Sequence, residues 1–482
     1  MSLVSLLPTA CPRCILRLQN IRTPPSYTRP IRPTPPCSLC LGILQDPALT
    51  ALITALRPHL SALRHDRRFK INASLPISAS LLRDRAARHV LHHANLHPAS
   101  PTDPHNVSLR EAVKWAVCAR VHDAFGMRYH PDAQLFVDLS FSHTPSNSDA
   151  AFVHTDPANP HKRRRLQNDV SATAVVRAAA AMTDQQFVET MGPRFFPPPP
   201  IEQPAEVAVS VYVAPVLFAG RYNKLSRVVS QTPWFVDAPP AASGLAAIAR
   251  ANEGKVTDQY GRRKRTELSV EDAATAGIRE VLNPDKATFT AGGREDVDVR
   301  MLGKGRPFVV EVINPKIVPA LIEEEMVERM RALAASVSSS VVIRDFRMVS
   351  KEYFAQMRSF EMEKKKCYRC VVWTRREVGS EELKDKLEVQ GGFMLRQKTP
   401  LRVLHRRTQA VRERCIFEAR LTRVVSPNFF VMDVVAAAGT YIKEFVHGDH
   451  GRTLPNVAQL LDCDADIVQL DVTDIYTDSE KR

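Results

Sequence analysis

The sequence lacks a hydrophobic segment long enough to cross a membrane. No run without Asp, Glu, Lys or Arg exceeds 14 residues, and the run Val207–Gly220, which reaches this length, contains Pro215. A membrane-spanning helix needs about 20 predominantly apolar residues, so we do not expect an integral membrane protein. Global disorder is not expected either, because 44% of the residues are hydrophobic and 24% are charged.

Acidic residues are in short supply. The chain has 66 Lys and Arg against 52 Asp and Glu, a formal net charge of +14, and no acidic residue precedes Asp46. This balance favours a polyanionic partner, nucleic acid before an acidic membrane surface. An acid-poor N-terminus with arginines is also typical of mitochondrial leaders, but its prolines oppose an amphipathic helix. We therefore expect the nucleus or cytoplasm rather than the mitochondrion.

The nine cysteines have no secretory signal before them, which favours a reducing compartment. Four of them form the pairs Cys11-Pro-Arg-Cys14 and Cys37-Ser-Leu-Cys40. Two residues between thiolates let one turn aim both sulfurs at one ion, and tetrahedral Zn²⁺ prefers four such ligands. The spacing predicts a zinc ribbon over residues 1–46, in preference to a disulfide or chance. The pair Cys367 and Cys370 lies on a predicted strand and is interpreted as core.

The length of 482 residues suggests about three domains. Residues 1–46 form the predicted ribbon, residues 47–240 an accessory region and residues 245–482 the C-terminal domain, with the Pro/Ala/Gly stretch Pro239–Gly244 as linker. The basic run His161-Lys-Arg-Arg-Arg165 is interpreted as a solvated loop, with a nuclear localisation signal or an RNA contact as alternatives.

Local patterns predict a mixture of helices and strands. Ser108-Leu-Arg-Glu111 is a capping box that begins a helix ending near Gly126. Ala133–Ser142 alternates like a strand, Glu271–Leu282 reads as a helix, and four further strands are predicted: Ala287–Thr290, Phe308–Ile313, Tyr368–Trp373 and Phe429–Val435. A helix starting at Pro319 would share one face among Ile322, Met326, Met330 and Leu333. The C-terminal region is therefore predicted to be an α+β domain with a sizeable core.

The densest candidate for chemistry is Ala291-Gly-Gly-Arg-Glu-Asp-Val-Asp-Val-Arg300. Two glycines allow a tight backbone excursion after a strand, and Asp296, Asp298 and Arg300 would share one face if the residues after it are extended. A carboxylate between guanidinium groups stays ionised and can act as nucleophile, base or metal ligand. A surface turn with neutralised charges is the alternative. Spacing alone does not separate Asp296 from Asp298.

Two later segments are also candidates. Arg396–Arg414 carries seven Lys and Arg against only Glu413, with interleaved leucines and valine, which predicts a strand with one apolar and one basic edge suited to phosphates. Gly439-Thr-Tyr-Ile-Lys-Glu-Phe-Val-His-Gly-Asp449 is a polar stretch after an apolar strand. His447 and Asp449 within it receive no functional assignment, since lone residues of these types are more often structural.

Three of these motifs resemble the Pus-ten family of tRNA pseudouridine synthases: Gly293–Arg300, Lys398–Arg407 and Gly439–Asp449. Gly220-Arg-Tyr-Asn-Lys-Leu-Ser-Arg227, with Gln231-Thr-Pro-Trp234, resembles that family's accessory region. The resemblance implies an α+β fold with an N-terminal zinc ribbon and a THUMP-like α/β accessory domain that binds RNA. A catalytic domain with a mixed, mostly antiparallel sheet would follow.

The resemblance also implies roles for single residues. Asp296 matches the family's nucleophile, Arg294 the arginine associated with nucleotide flipping, Tyr368 the tyrosine that packs on the base, and Lys443 the basic partner of the aspartate. Leu401 and Val403 would line the base pocket. The full set of expected substrate-binding residues is Leu401, Arg402, His405, Arg406, Arg407 and Tyr441.

The implied reaction is the isomerisation of uridine to pseudouridine in the tRNA T arm, at uridine 54, uridine 55 or both. It implies tRNA as partner, a monomer, no membrane, structural Zn²⁺ and no organic cofactor. One alternative is a nuclease in which Asp296, Asp298 and Glu311 bind Mg²⁺. The other is a non-enzymatic RNA-binding adaptor built on the N-terminal half.

Overall fold

The computed structural model describes residues 3–31, 35–96, 100–154, 171–236, 263–264, 266, 268–359 and 365–476. The chain divides into two compact units. The N-terminal unit is Met1–Ala214 with Lys316–Leu321, and the C-terminal unit is Pro215–Pro315 with Ile322–Arg482. The basic run 161–165 and the predicted linker 239–244 lie outside the described residues.

The N-terminal unit combines short helices with a sheet. Its α-helices are α1 (Leu3–Leu6), α2 (Pro12–Leu18), α3 (Asp46–Ser61), α4 (Arg83–His93), α5 (Leu109–Phe125), α6 (Ala172–Ala181) and α7 (Asp184–Met191). Its strands are β1 (Arg68–Ser74), β2 (Arg128–Tyr129), β3 (Leu135–Ser142) and β4 (Glu206–Val213). They lie in the order β2-β1-β3-β4; β1 runs parallel to both neighbours, and β4 is antiparallel to β3.

The predicted elements around α5 and β3 are confirmed. The Ser108 hydroxyl accepts a hydrogen bond from the backbone N–H of Glu111, and the Glu111 carboxylate accepts one from the backbone N–H of Ser108 at 2.9 Å. Gly126 ends the helix in the left-handed conformation, with φ of 66°. Every second side chain of β3, from Leu135 to Phe141, is buried. The alternation therefore directs one face of this strand into the core.

The C-terminal unit contains the remaining elements. Its α-helices are α8 (Val270–Leu282), α9 (Glu324–Ser336), α10 (Lys351–Ser359), α11 (Ser380–Leu387), α12 (Ile442–His447) and α13 (Val457–Leu460). Its strands are β5 (Val216–Lys224), β6 (Phe235–Val236), β7 (Arg263–Lys264), β8 (Lys286–Ala291), β9 (Arg300–Ile313), β10 (Val341–Val349), β11 (Lys365–Thr374), β12 (Val389–Lys398), β13 (Val411–Ser426), β14 (Phe429–Ala437), β15 (Thr453–Leu454) and β16 (Ala465–Tyr476). Among the described residues, no helix has the length and apolar character needed to cross a membrane.

Ten of these strands form one sheet in the order β10-β5-β9-β16-β11-β14-β13-β12-β15, with β8 paired to β9. Every pairing is antiparallel except that of β9 with β16. This confirms the predicted mixed, mostly antiparallel sheet. On the side of β9 that does not pair with β5, Arg300 and Met301 pair with β16, and residues Phe308 to Ile313 pair with β8. The loop that joins β8 to β9 therefore lies near the point where β8 replaces β16 as the neighbour of β9.

The strand β5 lies in this large sheet, whereas the sequence interpretation placed its motif in the accessory region. It pairs with β9 on one side and β10 on the other, and almost all of its residues are buried. Phe218 stacks on Phe346 of β10 with ring centroids 5.3 Å apart. A continuous apolar run indicates a strand covered on both faces, but it does not identify the strands that supply its hydrogen bonds.

The basic segment Arg396–Arg414 is not one strand, so that prediction is wrong. β12 ends at Lys398, residues Leu401–Arg406 form a 3₁₀ turn, and β13 begins at Val411. Pro400 interrupts the ladder because proline has no backbone N–H. The N–H of Leu401 instead donates to the side chain of Asp449 at 3.1 Å. Asp449 thus has a structural contact.

Helix α9 begins at Glu324, five residues after Pro319, and buries Val327, Met330 and Ala334. Only Met330 belongs to the predicted apolar face. The helix packs so closely on α8 that a Cβ atom at Gly277 would lie 2.3 Å from the carbonyl oxygen of Met330. Glycine is therefore required at this crossing.

The substitution Gly277→Ala should destabilise the C-terminal unit by about 1–3 kcal/mol, because the new methyl group overlaps rigid backbone. Thermal unfolding followed by calorimetry measures the effect as a fall in Tm. Gly379→Ala is the matched control, since nothing lies within 4 Å of a Cβ atom there. Equal Tm values for the two variants would contradict this account of the crossing.

Candidate active site

A cavity of ≈ 920 Å³ opens in the C-terminal unit beside the loop that joins β8 to β9. We call residues 292–299 the aspartate loop. The cavity wall is completed by residues of β11, β13 and β16 and by residues around the 3₁₀ turn and the start of α12. The lining residues are Trp234, Arg294, Glu295, Asp296, Val297, Asp298, Val299, Lys366, Tyr368, Arg402, Val403, Arg407, Arg412, Arg414, Gly439, Thr440, Tyr441, Ile442, Lys443, Leu470 and Val472.

Asp296 is held between two cations at the cavity wall. Its Oδ2 atom lies 3.4 Å from Nζ of Lys443 and 3.2 Å from Nη1 of Arg402. The Asp296 side chain is 39% exposed and that of Lys443 is 20% exposed. The site thus presents an accessible carboxylate with one oxygen atom paired to two positive groups.

Asp298 shares the amine of Lys443, whose Nζ lies 2.8 Å from its Oδ2. Partial burial raises the pKa of Asp298, but the hydrogen bond and positive charge of Lys443 outweigh it, so the pKa lies below its usual value. The Asp298 side chain is 65% exposed, considerably more than that of Asp296. The structure thus separates the two aspartates by environment, which their spacing alone did not.

A buried carboxylate fixes Arg402 in place. Glu444 lies in the first turn of α12 with its side chain only 1% exposed, and its Oε1 accepts a hydrogen bond from Nε of Arg402 at 2.8 Å. The guanidinium group of Arg402 therefore bridges Glu444 and Asp296. Lys443 is the residue before Glu444, so both groups that hold Asp296 depend on the position of α12.

An aromatic and apolar surface forms another part of the wall. Tyr368 lies on β11 between Val434 of β14 and Val472 of β16, and it is 8% exposed. Burial raises the pKa of Tyr368 to about 12, so its hydroxyl stays neutral at physiological pH. Val403 and Leu470 extend this surface. A flat, weakly polar ring is the kind of group that such a surface favours.

The remaining polar lining is mostly cationic. Besides Lys443 and Arg402, it includes Arg294, Lys366, Arg407, Arg412 and Arg414. The acidic residues are Asp296, Asp298 and Glu295, and the last is neutralised by its own arginine. Such a lining suits an anionic ligand that places a ring against Tyr368 and phosphates against the arginines.

The structure brings most of the predicted site residues together. The four expected catalytic residues, Arg294, Asp296, Tyr368 and Lys443, all line this cavity, as do Arg402, Val403, Arg407 and Tyr441. Leu401 and His405 are exposed and are not among the lining residues. The side chain of Arg406 lies outside the described parts of the chain.

Sequence reasoning missed a buried layer beneath the aspartate loop. The Glu295 carboxylate accepts hydrogen bonds from the Tyr222 hydroxyl at 2.9 Å and from Nε of Arg306 at 2.8 Å. Burial and the charge of Glu295 raise the pKa of Tyr222. Gln231 donates to the Tyr222 oxygen and to the carbonyl oxygen of Gly293. The sequence carries a signal for this layer, since Tyr222 and Gln231 belong to the two motifs that resemble the family's accessory region.

The four N-terminal cysteines form a second candidate site, in the N-terminal unit. The sulfur atoms of Cys11, Cys14, Cys37 and Cys40 all lie within 4.8 Å of one another, and all four residues are buried. Sγ of Cys11 lies 3.9 Å from Sγ of Cys40, close to the separation of about 3.8 Å between sulfurs in a tetrahedral zinc site. Cys37 also accepts a hydrogen bond from the backbone N–H of Cys11 at 3.2 Å. The cluster can therefore hold a metal ion.

The surrounding segment is built from short helices and turns, with no strand in the described residues 3–31 and 35–46. The cysteine cluster is also the one group of His, Cys, Asp or Glu with metal-binding spacing among the residues that the structure describes. Asp296, Asp298 and Glu311 form no such group there, since Glu311 lies on β9 outside the cavity lining. Within the described residues, the nuclease alternative therefore lacks the metal-binding cluster that it needs.

Comparison with protein families covers most of the chain. The family model described as "Pus10, C-terminal" matches residues 217–476, and "Eukaryotic Pus10, N-terminal" matches residues 37–212. The chain belongs to the Pus10 family. The resemblance found in the sequence motifs is thereby confirmed, and the C-terminal Pus10 match includes all of β5 except Val216, as well as the whole cavity lining.

Curated Pus10 proteins from vertebrates resemble the chain over most of its length. The "tRNA pseudouridine synthase Pus10" of Xenopus laevis is 36% identical over 92% of this chain and 80% of its own. The proteins of the same name from Mus musculus and Homo sapiens are 33% and 31% identical, again over 92% of this chain and over 79% and 78% of theirs.

A solved structure titled "Crystal Structure of a Cbf5-Nop10-Gar1 Complex" also aligns with this Pus10 family chain. The alignment covers 52% of this chain and 61% of the other, at 14% sequence identity and a TM-score of 0.24.

The ion pairs of Arg402 with Glu444 and Asp296 predict how substitutions at these positions change the free energy of unfolding. Arg402→Met should lower the free energy of unfolding of the C-terminal unit by about 1–3 kcal/mol, because it leaves the buried Glu444 carboxylate without its cation. Adding Glu444→Gln should recover part of this loss, since a neutral amide needs no counter-ion. Urea denaturation of the single and double variants measures both effects.

Arg407→Met is the matched control, because Arg407 lines the same cavity and the structure shows it in no ion pair with a described residue. The bridge would be ruled out as a stabilising contact if Arg402→Met and Arg407→Met unfolded at the same urea concentration.

Proposed function

We propose that this chain is a tRNA pseudouridine synthase, an isomerase in which Asp296 is the nucleophile. The observation that carries the proposal is the position of Asp296, whose carboxylate lies between Lys443 and Arg402 in the cavity that Tyr368 also lines. The names of the curated relatives support the same reaction.

The reaction breaks the bond between N1 of uracil and C1′ of the ribose and forms a bond between C5 and C1′. The proton lost from C5 is balanced by one gained at N1, so substrate and product are isomers. The base must leave its stack, rotate and be held while it is detached. The chain therefore has to supply a nucleophile, a pocket for one base and charges that hold the RNA.

Extruding the target base costs a few kcal/mol, which contacts in the cavity can offset. Tyr368 offers an aromatic surface with a neutral hydroxyl, and Arg294 lines the cavity with an exposed guanidinium group. In this proposal the uracil packs on Tyr368 while Arg294 occupies the space that the base has left. Removal of water from this surface also strengthens the interactions of the charged groups nearby.

Asp296 attacks the nucleotide at the ribose or at the base, and this step requires an ionised carboxylate. Lys443 and Arg402 supply the two positive charges that pair with this carboxylate. Arg402 is held in turn by Glu444, so it can remain in place when the negative charge of Asp296 is consumed. A fixed environment of this kind lowers the reorganisation required in the transition state.

We propose the T arm of tRNA as substrate, at uridine 54, uridine 55 or both. Lys366, Arg407, Arg412 and Arg414 would contact phosphates around the extruded nucleotide, because they surround the cavity with positive charge. The N-terminal unit would act as the accessory RNA-binding part, with a THUMP-like role for the part of the range 47–240 that lies in this unit, residues 47–214.

Asp296→Asn should abolish pseudouridine formation, because an amide is not a nucleophile, while its affinity for tRNA should stay within severalfold of wild type. Pseudouridine mapping in unmodified tRNA transcripts measures the product, and filter binding measures affinity. Asp298→Asn is the matched control and should retain measurable turnover. Turnover by Asp296→Asn at the wild-type rate would refute the assignment of the nucleophile.

The same assay with excess chelator separates the isomerase from a metal-dependent nuclease. The isomerase should continue to form pseudouridine in full-length tRNA. Cleavage of the transcript that stops with the chelator would support the nuclease instead.

We also propose that Cys11, Cys14, Cys37 and Cys40 bind structural Zn²⁺. The fit of four buried thiols with sulfur atoms within 4.8 Å of one another supports this assignment. A bound ion would link the segment before α3 to the start of the chain and add its binding free energy to folding.

Cys37→Ser should reduce the zinc content from one ion per chain to a substoichiometric level and should lower the Tm of the N-terminal unit, because serine is a poor zinc ligand. Atomic emission spectroscopy on dialysed protein and calorimetry measure the two effects. Cys118→Ser, a half-buried cysteine outside the cluster in the same unit, should change neither. Wild-type protein purified without zinc at full stability would overturn the assignment.

A further inference from the structure

The amine of Lys224 lies beneath the aspartate loop and is completely buried. Lys224 is the last residue of β5, and its Nζ donates to the carbonyl oxygens of Val229 at 3.0 Å, Asp296 at 3.2 Å and Val297 at 2.7 Å. Two of these three carbonyls belong to the aspartate loop. The lysine therefore contacts the backbone of the residue whose side chain faces the cavity.

The number of donors matches the number of acceptors. A protonated lysine amine has three N–H donors and no acceptor, and the structure places three backbone carbonyls around it. A neutral amine has only two N–H groups, so one carbonyl would lose its donor and face a lone pair. Leaving a buried carbonyl unpaired is unfavourable. Only the ammonium form makes all three contacts at once; the Asp296 carbonyl has a second donor, the backbone N–H of Val299 at 3.1 Å, whereas the Lys224 amine is the donor shown for Val229 and Val297.

Other residues of the same segment hold the rest of the aspartate loop. Nη1 of Arg227 donates to the carbonyl of Asp298 and to that of Leu470, both at 2.8 Å. Nε2 of Gln231 donates to the carbonyl of Gly293 at 2.8 Å. Hydrogen bonds from Lys224, Arg227 and Gln231 therefore hold the backbone of the aspartate loop. The Asp296 carboxylate pairs with Lys443 and Arg402, and the Asp298 carboxylate pairs with Lys443.

We propose that Lys224 is a positioning residue for the isomerase: its buried ammonium group fixes the Asp296–Val297 backbone and thereby aims the Asp296 carboxylate at the target nucleotide. This inference rests on the proposed function. It gives the Gly220–Arg227 motif a role inside the catalytic unit, distinct from the RNA-binding role that its resemblance had implied.

The buried amine of Lys224 should make the reaction depend on pH. The charged groups that act on the amine are Glu295, Asp298 and Asp296 of the loop, which favour the ammonium, and Arg227, which opposes it. Burial has the largest effect, and the pKa of Lys224 is lowered to about 8. The ammonium would then be lost within the range of an ordinary activity assay.

As the pH rises, the titration of Lys224 should increase the stability of the folded chain although it decreases the activity. The pKa of Lys224 in the folded chain lies below the value of about 10.4 expected when unfolded, so between these values the unfolded chain binds more protons. Folding is then favoured through this group as the pH rises from about 8 to about 10. If activity is lost between about pH 8 and about pH 10, the titration of Lys224 has therefore not caused that loss by unfolding the chain.

The test compares Lys224→Met with Lys286→Met, an exposed lysine at the start of β8. Single-turnover formation of pseudouridine in tRNA transcripts should fall about 100-fold in Lys224→Met, the effect of misplacing a reacting group by about 1 Å, with tRNA affinity unchanged. Lys286→Met should match wild type. The wild-type rate should also fall as the pH rises through about 8, and this break should be absent from the residual rate of Lys224→Met.

A Lys224→Met rate equal to wild type, or the same alkaline break in both proteins, would overturn the proposal. If Lys224→Met does not fold, hydrogen exchange in wild type decides. Exchange over residues 292–299, corrected for its intrinsic rate, should increase between pH 7 and pH 9, and an unchanged loop would overturn the proposal. Wild-type protein that makes no pseudouridine would instead refute the proposed function, while the exchange measurement would still test the hold on the loop.

Discussion

The ion pairs around Asp296 are the constraint on which the candidate site depends. A nucleophile must be held in one position and yet be accessible to its substrate. Lys443 and Arg402 each pair with Oδ2 of Asp296, while 39% of that side chain stays exposed. Glu444 then fixes Arg402 from the buried side. One short helix, α12, thus carries two of the charges that define the site.

The large sheet makes this arrangement possible. On the side of β9 that faces away from β5, this strand pairs first with β16 and then with β8, and the aspartate loop lies where one partner replaces the other. Side chains from β5 and the residues after it hold the backbone of this loop. The hydrogen bonds to the backbone of the aspartate loop and the ion pairs to the Asp296 side chain therefore come from different elements. The Asp296 carboxylate can thus be accessible while the backbone that carries it is fixed.

Local patterns predicted the elements that depend on nearby residues. The capping box at Ser108, the alternation of β3 and the strand at Tyr368 all appear as expected. The errors concern partners distant in sequence. The segment 396–414 alternates like one strand, but Pro400 and the contact of Leu401 with Asp449 convert its centre into a 3₁₀ turn. The sheet to which β5 belongs was likewise decided by β9 and β10, far along the chain.

The sequence by itself determined the class of the site, because a glycine pair followed by clustered charges, two cysteine pairs and an excess of basic residues are chemical facts of the chain. It also supplied the motifs that led to the family. Only the tertiary structure distinguished Asp296 from Asp298 physically, joined Arg402 to Glu444 and placed Lys224 beneath the loop. The physical reason is that hydrogen bonds and ion pairs act over a few ångströms, and the partners in these contacts lie about 40 to 150 positions apart in the chain.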